Sequence, residues 1–159
     1  MKEEMISQIV TSIIDEMQQE KKMTLKLATA LIERVEEKAN KMGIAVVIAV
    51  SDDKARPIAV HCMDDAYIGS YDIALNKTFT SAGFKMSTEQ LGHLSQPGES
   101  LYGIQFTNEG KVVIFGGGEP LLTGDSVIGA LGVSGGSAEQ DTYLAAYGKR
   151  IFEEVISCK

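Results

Sequence analysis

Gly129-Ala-Leu-Gly-Val-Ser-Gly-Gly-Ser-Ala-Glu-Gln-Asp141 is the stretch of this sequence that decides its fold. Its first half is apolar and, with the preceding Val127 and Ile128, includes three β-branched residues, which favours a strand, and we place that strand at 127–134. Ser137, followed three residues later by Gln140, forms a capping box, which marks the start of a helix. The glycines between them allow a tight turn. The stretch therefore predicts a strand, a turn and a closing helix.

Part of this stretch also matches a catalytic motif. Gly132-Val-Ser-Gly-Gly136 has the G-x-S-x-G pattern of a hydrolase nucleophile elbow, but in that fold the histidine base follows the serine. Both histidines here, His61 and His93, precede it. We therefore interpret the segment as a turn whose free amides are also able to hold an anion such as a carboxylate. The residues of this candidate anion site are Ser134, Gly135, Gly136 and Ser137.

The elements upstream of this stretch alternate helices with pairs of strands. Residues 24–43 have helical spacing, 44–50 form a strand that is apolar on both faces, and 58–63 return as its hairpin partner. Further along, 103–106 and 111–115 flank a four-residue loop and are predicted to form a second hairpin. Because hairpins join most strands, the sequence predicts an α+β fold with a largely antiparallel sheet and helices packed on it.

Residues 1–22 differ from the rest of the chain. The apolar residues between Met5 and Met17 fall on one face of a helical wheel, and polar residues fill most of the opposite arc. A helix this short is marginally stable alone in water, so its apolar face needs a surface to dock on. We divide the chain into this amphipathic helix with its linker, residues 1–22, and one domain, residues 23–159.

Composition narrows the classes of partner. The chain has 159 residues, 44% of them hydrophobic, which is the size of one ordinary domain. Its formal net charge is −7, with no basic cluster beyond Lys21-Lys22, so we expect no nucleic-acid or anionic-membrane binding. No apolar run approaches the roughly 20 residues of a membrane-spanning helix, and no signal peptide is evident. We expect a cytoplasmic protein in which Cys62 and Cys158 are free thiols.

The histidines are candidate metal ligands. Alternate side chains of a strand share a face, so His61 and Met63 are predicted to point to the same side. Two ligands are too few for a structural zinc site, but they suffice for axial ligation of a haem iron. His93, which follows the flexible Gly92, is a second candidate axial ligand. A purely structural role for either histidine is the alternative.

Two further positions are candidates for ligand contacts. Lys77 is predicted on a helix, on the face away from Leu75 and Phe79, where it either meets an anionic ligand at a pocket mouth or is simply solvated. The glycine run around Gly117 lacks both the Walker A lysine and the dinucleotide-binding spacing. It is interpreted as part of a pocket rim.

Together these residues resemble a family of small cofactor-binding domains that includes GlcG, HbpS and the C-terminal domain of PduO. The stretch at 129–141 is the specific part. The weaker matches, in chain order, are Met23–Gly43, Ile48–Asp52 with Met63-Asp64, Ala74–Ala82, Pro97–Gly103 and Phe115–Leu121. The resemblance covers about 23–156 and implies a profilin-like fold: a five-stranded antiparallel sheet with helices on both faces. It also implies a homo-oligomer.

The resemblance further implies a pocket for haem in some members, and a corrinoid is the alternative cofactor. In the PduO-like branch an axial histidine belongs to the first helix, and no histidine occurs between Thr24 and Gly43 here. His61 or His93 would then be the ligand. The sequence shows no counterpart of the PduO adenosyltransferase domain, so we do not expect that activity, and we assign no catalytic residue.

The N-terminal segment 9–17 is similar to encapsulation peptides, which carry cargo into bacterial microcompartments. The sequence thus predicts a cofactor-binding accessory protein in a microcompartment lumen, contacting shell or cargo proteins through residues 5–17. In the alternative, this helix packs on its own domain or in an oligomer interface. The alternative functions are an enzyme for a small carbonyl or hydroxy-acid metabolite, and a purely structural oligomeric cargo module.

Overall fold

A computed structural model describes residues 2–20 and 22–157, and the surroundings of the side chains at 4–15 and 22–154. The helices are α1 (Lys2–Glu20), α2 (Leu25–Met42), α3 (Gly69–Phe84), α4 (Thr88–Leu94) and α5 (Ala138–Ser157), and the strands are β1 (Val47–Asp52), β2 (Pro57–Cys62), β3 (Gly118–Thr123) and β4 (Ser126–Ser134). Two short 3₁₀ turns lie at Ile104–Phe106 and Asn108–Gly110.

The described strands form one antiparallel sheet in the order β2-β1-β4-β3. Two hairpins, β1–β2 and β3–β4, meet where β1 pairs with β4. There Val47 lies opposite Ser134 and Asp52 lies opposite Gly129. β1 is buried along its whole length because it is central in the sheet and covered from both sides.

Helices cover both faces of this sheet. On one face, alternate β1 residues such as Ile48 join a large apolar core with α2 and α5. On the other face, Val47 and Ala49 contact Ala74 of α3. The larger core includes Leu31, Ile32, Val35, Val46, Val50, Leu131, Val133, Leu144 and Phe152. The predicted α+β class and the antiparallel sheet with helices on both faces are confirmed.

Local sequence signals placed the helix ends well. The Thr24 hydroxyl accepts a hydrogen bond from the Leu27 amide at 3.2 Å, and Gly43 ends α2 in the left-handed region at φ 70°. At the start of α5, the Ser137 amide donates to Gln140 Oε1 at 2.8 Å and the Gln140 amide donates to Ser137 Oγ at 3.2 Å. This reciprocal pair is the predicted capping box.

The strand count differs from the prediction, since the described residues form four strands and not five. The predicted hairpin at 103–106 and 111–115 is wrong. The first segment contains a 3₁₀ turn, and the second does not pair with a strand. Instead the Val113 amide donates to the Thr80 hydroxyl of α3 at 3.0 Å. The apolar pattern indicated the burial of Val112 and Val113 correctly, but Phe106 and Phe115 are exposed. A helix side chain takes the place of a neighbouring strand at Val113.

β3 begins at Gly118, three residues after the end of the predicted strand at 111–115. At its start the Gly118 amide donates to Thr88 Oγ1 at 2.9 Å, and the strand then pairs with β4. Pro120 lies within β3, which is tolerated because β3 is an edge strand. Three glycines, a glutamate and a proline in succession gave no strand pattern, so tertiary pairing overrode local propensity.

α1 spans residues 2–20 of the N-terminal segment. Its apolar side chains are 47–57% exposed, and the residues concerned are Met5, Ile6, Ile9, Val10, Ile13 and Ile14. Neither hydrophobic core of the described residues includes a residue of α1. The surroundings of Met17 and the whole of Cys158 lie outside what the structure describes. None of the helices in the described ranges is long and apolar enough to cross a membrane.

Gly132 in β4 is expected to tolerate no side chain, because a Cβ there would overlap the carbonyl oxygen of Ala74 in α3. We expect Gly132→Ala to lower the free energy of unfolding by about 2–3 kcal/mol through overpacking. Gly83→Ala is the matched control, since a Cβ at Gly83 meets nothing within 4 Å. The control should be neutral or up to about 1 kcal/mol stabilising. Denaturant unfolding measures both, and equal effects would contradict this packing.

Candidate functional site

A buried ion pair joins α3 to α5. Lys77 is fully buried, and its Nζ donates to Asp141 Oδ2 at 3.2 Å and to the Val133 carbonyl oxygen at 2.7 Å. The ring of Phe115 lies 5.0 Å from the same nitrogen, a cation–π distance. A lysine is rarely buried without such partners. The ammonium therefore has a charged, a polar and an aromatic partner, all from its own chain.

Gly117 makes room for this ion pair. A Cβ at this position would lie 2.5 Å from Lys77 Nζ and 2.6 Å from the Val133 carbonyl oxygen, and the backbone has φ 114°, a value that favours glycine. The Gly117 carbonyl also accepts a hydrogen bond from the Val133 amide at 2.7 Å. The predicted glycine-rich rim thus packs directly against the lysine.

The predicted anion site before α5 is occupied by the chain itself. The Gly136 amide donates to Asp141 Oδ1 at 2.9 Å, and the Gly135 amide donates to Asp141 Oδ2 at 3.4 Å. The Ser137 amide donates its hydrogen bond to the Gln140 side chain. The turn amides do hold a carboxylate, as the sequence suggested for an anion in general. That carboxylate belongs to Asp141.

Burial lowers the pKa of Lys77 below its usual value, and the attraction and hydrogen bond of Asp141 oppose that shift. Neither expected environment for Lys77, a pocket mouth or a solvated helix face, is what the structure shows. The helix face that carries Lys77 packs on the sheet, so the side chain is enclosed. Three predicted sites, namely Lys77, Gly117 and the turn at 134–137, are brought together around Asp141, which sequence reasoning did not single out.

His61 lies elsewhere, on the edge strand β2. Its Nδ1 is 3.0 Å from Glu36 Oε2 of α2, and its side chain is 38% exposed. Met63 follows the strand, where its amide donates to the Val46 carbonyl at 3.1 Å and its partly buried side chain packs against the larger core. The structure does not bring either residue to the Lys77–Asp141 pair.

A cleft of 480 Å³ lies between the end of α2 and the end of β2. Of the His61–Glu36 pair, Glu36 lines this cleft. Its lining includes Glu36, Asn40, Cys62, Met63, Asp64 and Asp65. The three acidic residues and the lack of a lysine or arginine in this lining disfavour an anionic group here. Cys62 is an exposed free thiol, as expected.

His93 is exposed on α4. Gly92 beside it is not a flexible hinge, because a Cβ there would overlap the carbonyl oxygen of Ile114. Within the described part of the chain, no three His, Cys, Asp or Glu side chains are grouped so as to hold a metal ion.

Comparison with known proteins now identifies the family. A family model described as haem degrading protein HbpS-like matches residues 23–149. This chain belongs to the HbpS-like family. The match begins after α1 and covers all four strands.

Individual relatives agree with this assignment. An uncharacterised 15.0 kDa protein of Citrobacter freundii, from the dhaT-dhaS intergenic region, is 42% identical over 84% of this chain and 94% of its own length. The corrinoid adenosyltransferase PduO of Salmonella typhimurium is 38% identical over 69% of this chain, but the matched part is only 32% of PduO. A crystal structure of a PduOC–haem complex superposes with TM-score 0.78 at 33% identity, covering 81% of this chain and 94% of that one.

We expect Lys77→Met to lower the free energy of unfolding by about 3–5 kcal/mol, because it leaves the Asp141 carboxylate buried without its cation. The exposed Lys111 pairs with Glu109 at 3.6 Å on the surface, so Lys111→Met is the matched control. The control should change stability by less than about 1 kcal/mol. Chemical denaturation followed by circular dichroism measures both values. A loss at Lys77 no larger than at Lys111 would show that the buried pair is not needed.

Proposed function

We propose that this protein is a haem-binding accessory protein that acts in the lumen of a bacterial microcompartment. The observation that carries the haem proposal is the contact between His61 Nδ1 and Glu36 Oε2 at 3.0 Å, beside an open cleft. Membership of the HbpS-like family and similarity to a PduOC structure solved with haem support it.

The geometry of His61 suits an axial ligand. A metal-binding histidine commonly donates a hydrogen bond from its second ring nitrogen to a carboxylate. This bond fixes the tautomer and makes the ligating nitrogen more basic. With Nδ1 held by Glu36, Nε2 is the nitrogen left to bind iron, and the ring is exposed enough to be reached. A bound haem would supply the redox and ligand-binding chemistry of its iron.

The other residues predicted to contact a ligand lie in two separate parts of the structure. Met63 lines the cleft next to His61 and remains our candidate for the second axial position, while His93 is the alternative ligand. Because Glu36, Asp64 and Asp65 make the cleft acidic, these residues would not hold the haem propionates. Lys77, Gly117 and the turn at 134–137 contribute to the fold around Asp141 and would not reach such a haem.

Titration with hemin tests the haem proposal. We expect a sharp, shifted Soret band in the unmodified protein and its loss in His61→Ala, because the axial nitrogen is removed. His93→Ala is the matched control and should keep the band. Retention in His61→Ala with loss in His93→Ala would transfer the ligand role to His93. If hemin causes no spectral change while cobalamin does, the corrinoid alternative replaces haem.

The microcompartment proposal rests on α1. Its apolar face is half exposed, and residues 2–20 carry five acidic residues against one lysine. Two such helices from separate copies would repel each other electrostatically. A groove that is apolar at its floor and basic at its rim, on a shell or cargo protein, suits this helix better.

Fusion of residues 1–22 to a fluorescent reporter tests targeting in cells that assemble microcompartment shells. We expect puncta that coincide with shells, and diffuse fluorescence for Ile9→Asp, which places a charge on the apolar face. Ser12→Asp adds the same charge on the polar face and should leave the puncta intact. Diffuse fluorescence of the unmodified fusion would reject the proposal.

We also propose that the domain forms a homo-oligomer. Several aromatic and aliphatic side chains outside α1 are more than half exposed, namely Leu25, Tyr67, Ile68, Tyr102 and Phe106. Ile68 is 95% exposed, at the residue that precedes α3. Contacts between copies would remove these side chains from water, which the hydrophobic effect favours.

A further inference from the structure

Asp141 lies in a site that is built to hold a carboxylate. Its side chain is 6% exposed, and both of its oxygens accept hydrogen bonds, Oδ1 from the Gly136 amide and Oδ2 from the Gly135 amide and Lys77 Nζ. The start of α5 already has its capping pair in Ser137 and Gln140. The bonds of Asp141 are therefore additional to the normal capping of this helix.

Side chains and backbone crowd the carboxylate closely. A Cβ at Gly117 would lie 3.0 Å from Asp141 Cβ, and a Cβ at Gly136 would lie 3.2 Å from Asp141 Oδ1. Lys77, which supplies the charge, has no exposed surface. The space around the two oxygens is thus limited to one carboxylate group, and its donors are held in place by α3 and the turn.

From this arrangement we propose that the β4–α5 turn and Lys77 form a carboxylate-binding site whose ligand is the chain's own Asp141. A free monocarboxylate of the same size takes that place when the Asp141 side chain is shortened. A buried ammonium and two backbone amides are the donors that recognise a carboxylate. Asp141 is accordingly a positioning residue that joins the turn to α3, independently of any haem bound beside His61.

Two variants with a shortened side chain at position 141 test the proposal, because each leaves space for a carboxylate of a different size. Asp141→Ala removes the carboxylate and keeps Cβ, and formate is that carboxylate with one hydrogen. Asp141→Gly removes Cβ as well, and acetate restores both. We expect the thermal midpoint of the alanine variant to rise by about 3 °C in formate at tenfold its Kd, relative to sodium chloride at equal ionic strength. Acetate should stabilise the glycine variant more than the alanine variant.

Two controls separate a specific site from a general salt effect. The unmodified protein, whose site is filled, should show no difference between formate and chloride. The double variant Lys77→Met with Asp141→Ala should also show none, because the cation is missing. Equal midpoints of Asp141→Ala in formate and chloride would overturn the proposal, as would an equal formate response in the double variant.

A second measurement applies if Asp141→Ala fails to fold in chloride. Recovery of the native circular dichroism spectrum in formate, but not in chloride, would then support the proposal. If neither salt restores folding, amide hydrogen exchange in the unmodified protein decides. Slow exchange at Gly135 and Gly136 is expected from their bonds to Asp141, and exchange as fast as in an open loop would overturn the proposal.

Discussion

The ion pair between Lys77 and Asp141 is the interaction on which the centre of this domain depends. It lies where α3, the central hairpin junction and the start of α5 meet, and each of these elements contributes one of its contacts. Removing two charges from water is costly, and the attraction between them offsets this only with good geometry and additional hydrogen bonds. The Val133 carbonyl and the turn amides supply those bonds.

This interaction accounts for Gly117 in the run at 116–118 and for the turn glycines Gly135 and Gly136, whereas Gly129 and Gly132 are required by close approaches to the carbonyl oxygens of Ser51 and Ala74. Gly117 leaves space for the ammonium, and Gly135, at φ 142° with its Cβ position against the Ala45 carbonyl oxygen, turns the chain toward the carboxylate. The G-x-S-x-G match is therefore a product of packing. Its serine is buried at the end of β4. Its glycines are required because the sheet and a helix approach their backbone too closely for a side chain.

The proposed ligand cleft lies apart from this centre, at the sheet edge formed by β2. Residues that a search for sequence motifs would group together therefore lie at two separate places in the structure. Charged groups enclosed in the interior hold the turn. The partly exposed His61 pairs with Glu36, and Glu36 lines the cleft. The proposed ligand contacts therefore share no residue with the buried ion pair. α1 has an exposed apolar face that belongs neither to the buried ion pair nor to the cleft.

The sequence by itself determined the fold class, the sheet's buried β1 and β4, both ends of α2 and the start of α5, since helical spacing, β-branched runs and capping residues act over a few neighbouring positions. The specific 129–141 stretch also identified the family. Only the tertiary structure decided that Val113 bonds to Thr80 and not to a strand, and that 118–123 forms the fourth strand. It alone decided that the anion of the turn is Asp141 and that Lys77 is buried against it. Val113 and Thr80 are 33 positions apart and Lys77 and Asp141 are 64 positions apart, and no local pattern encodes which of such distant groups will meet.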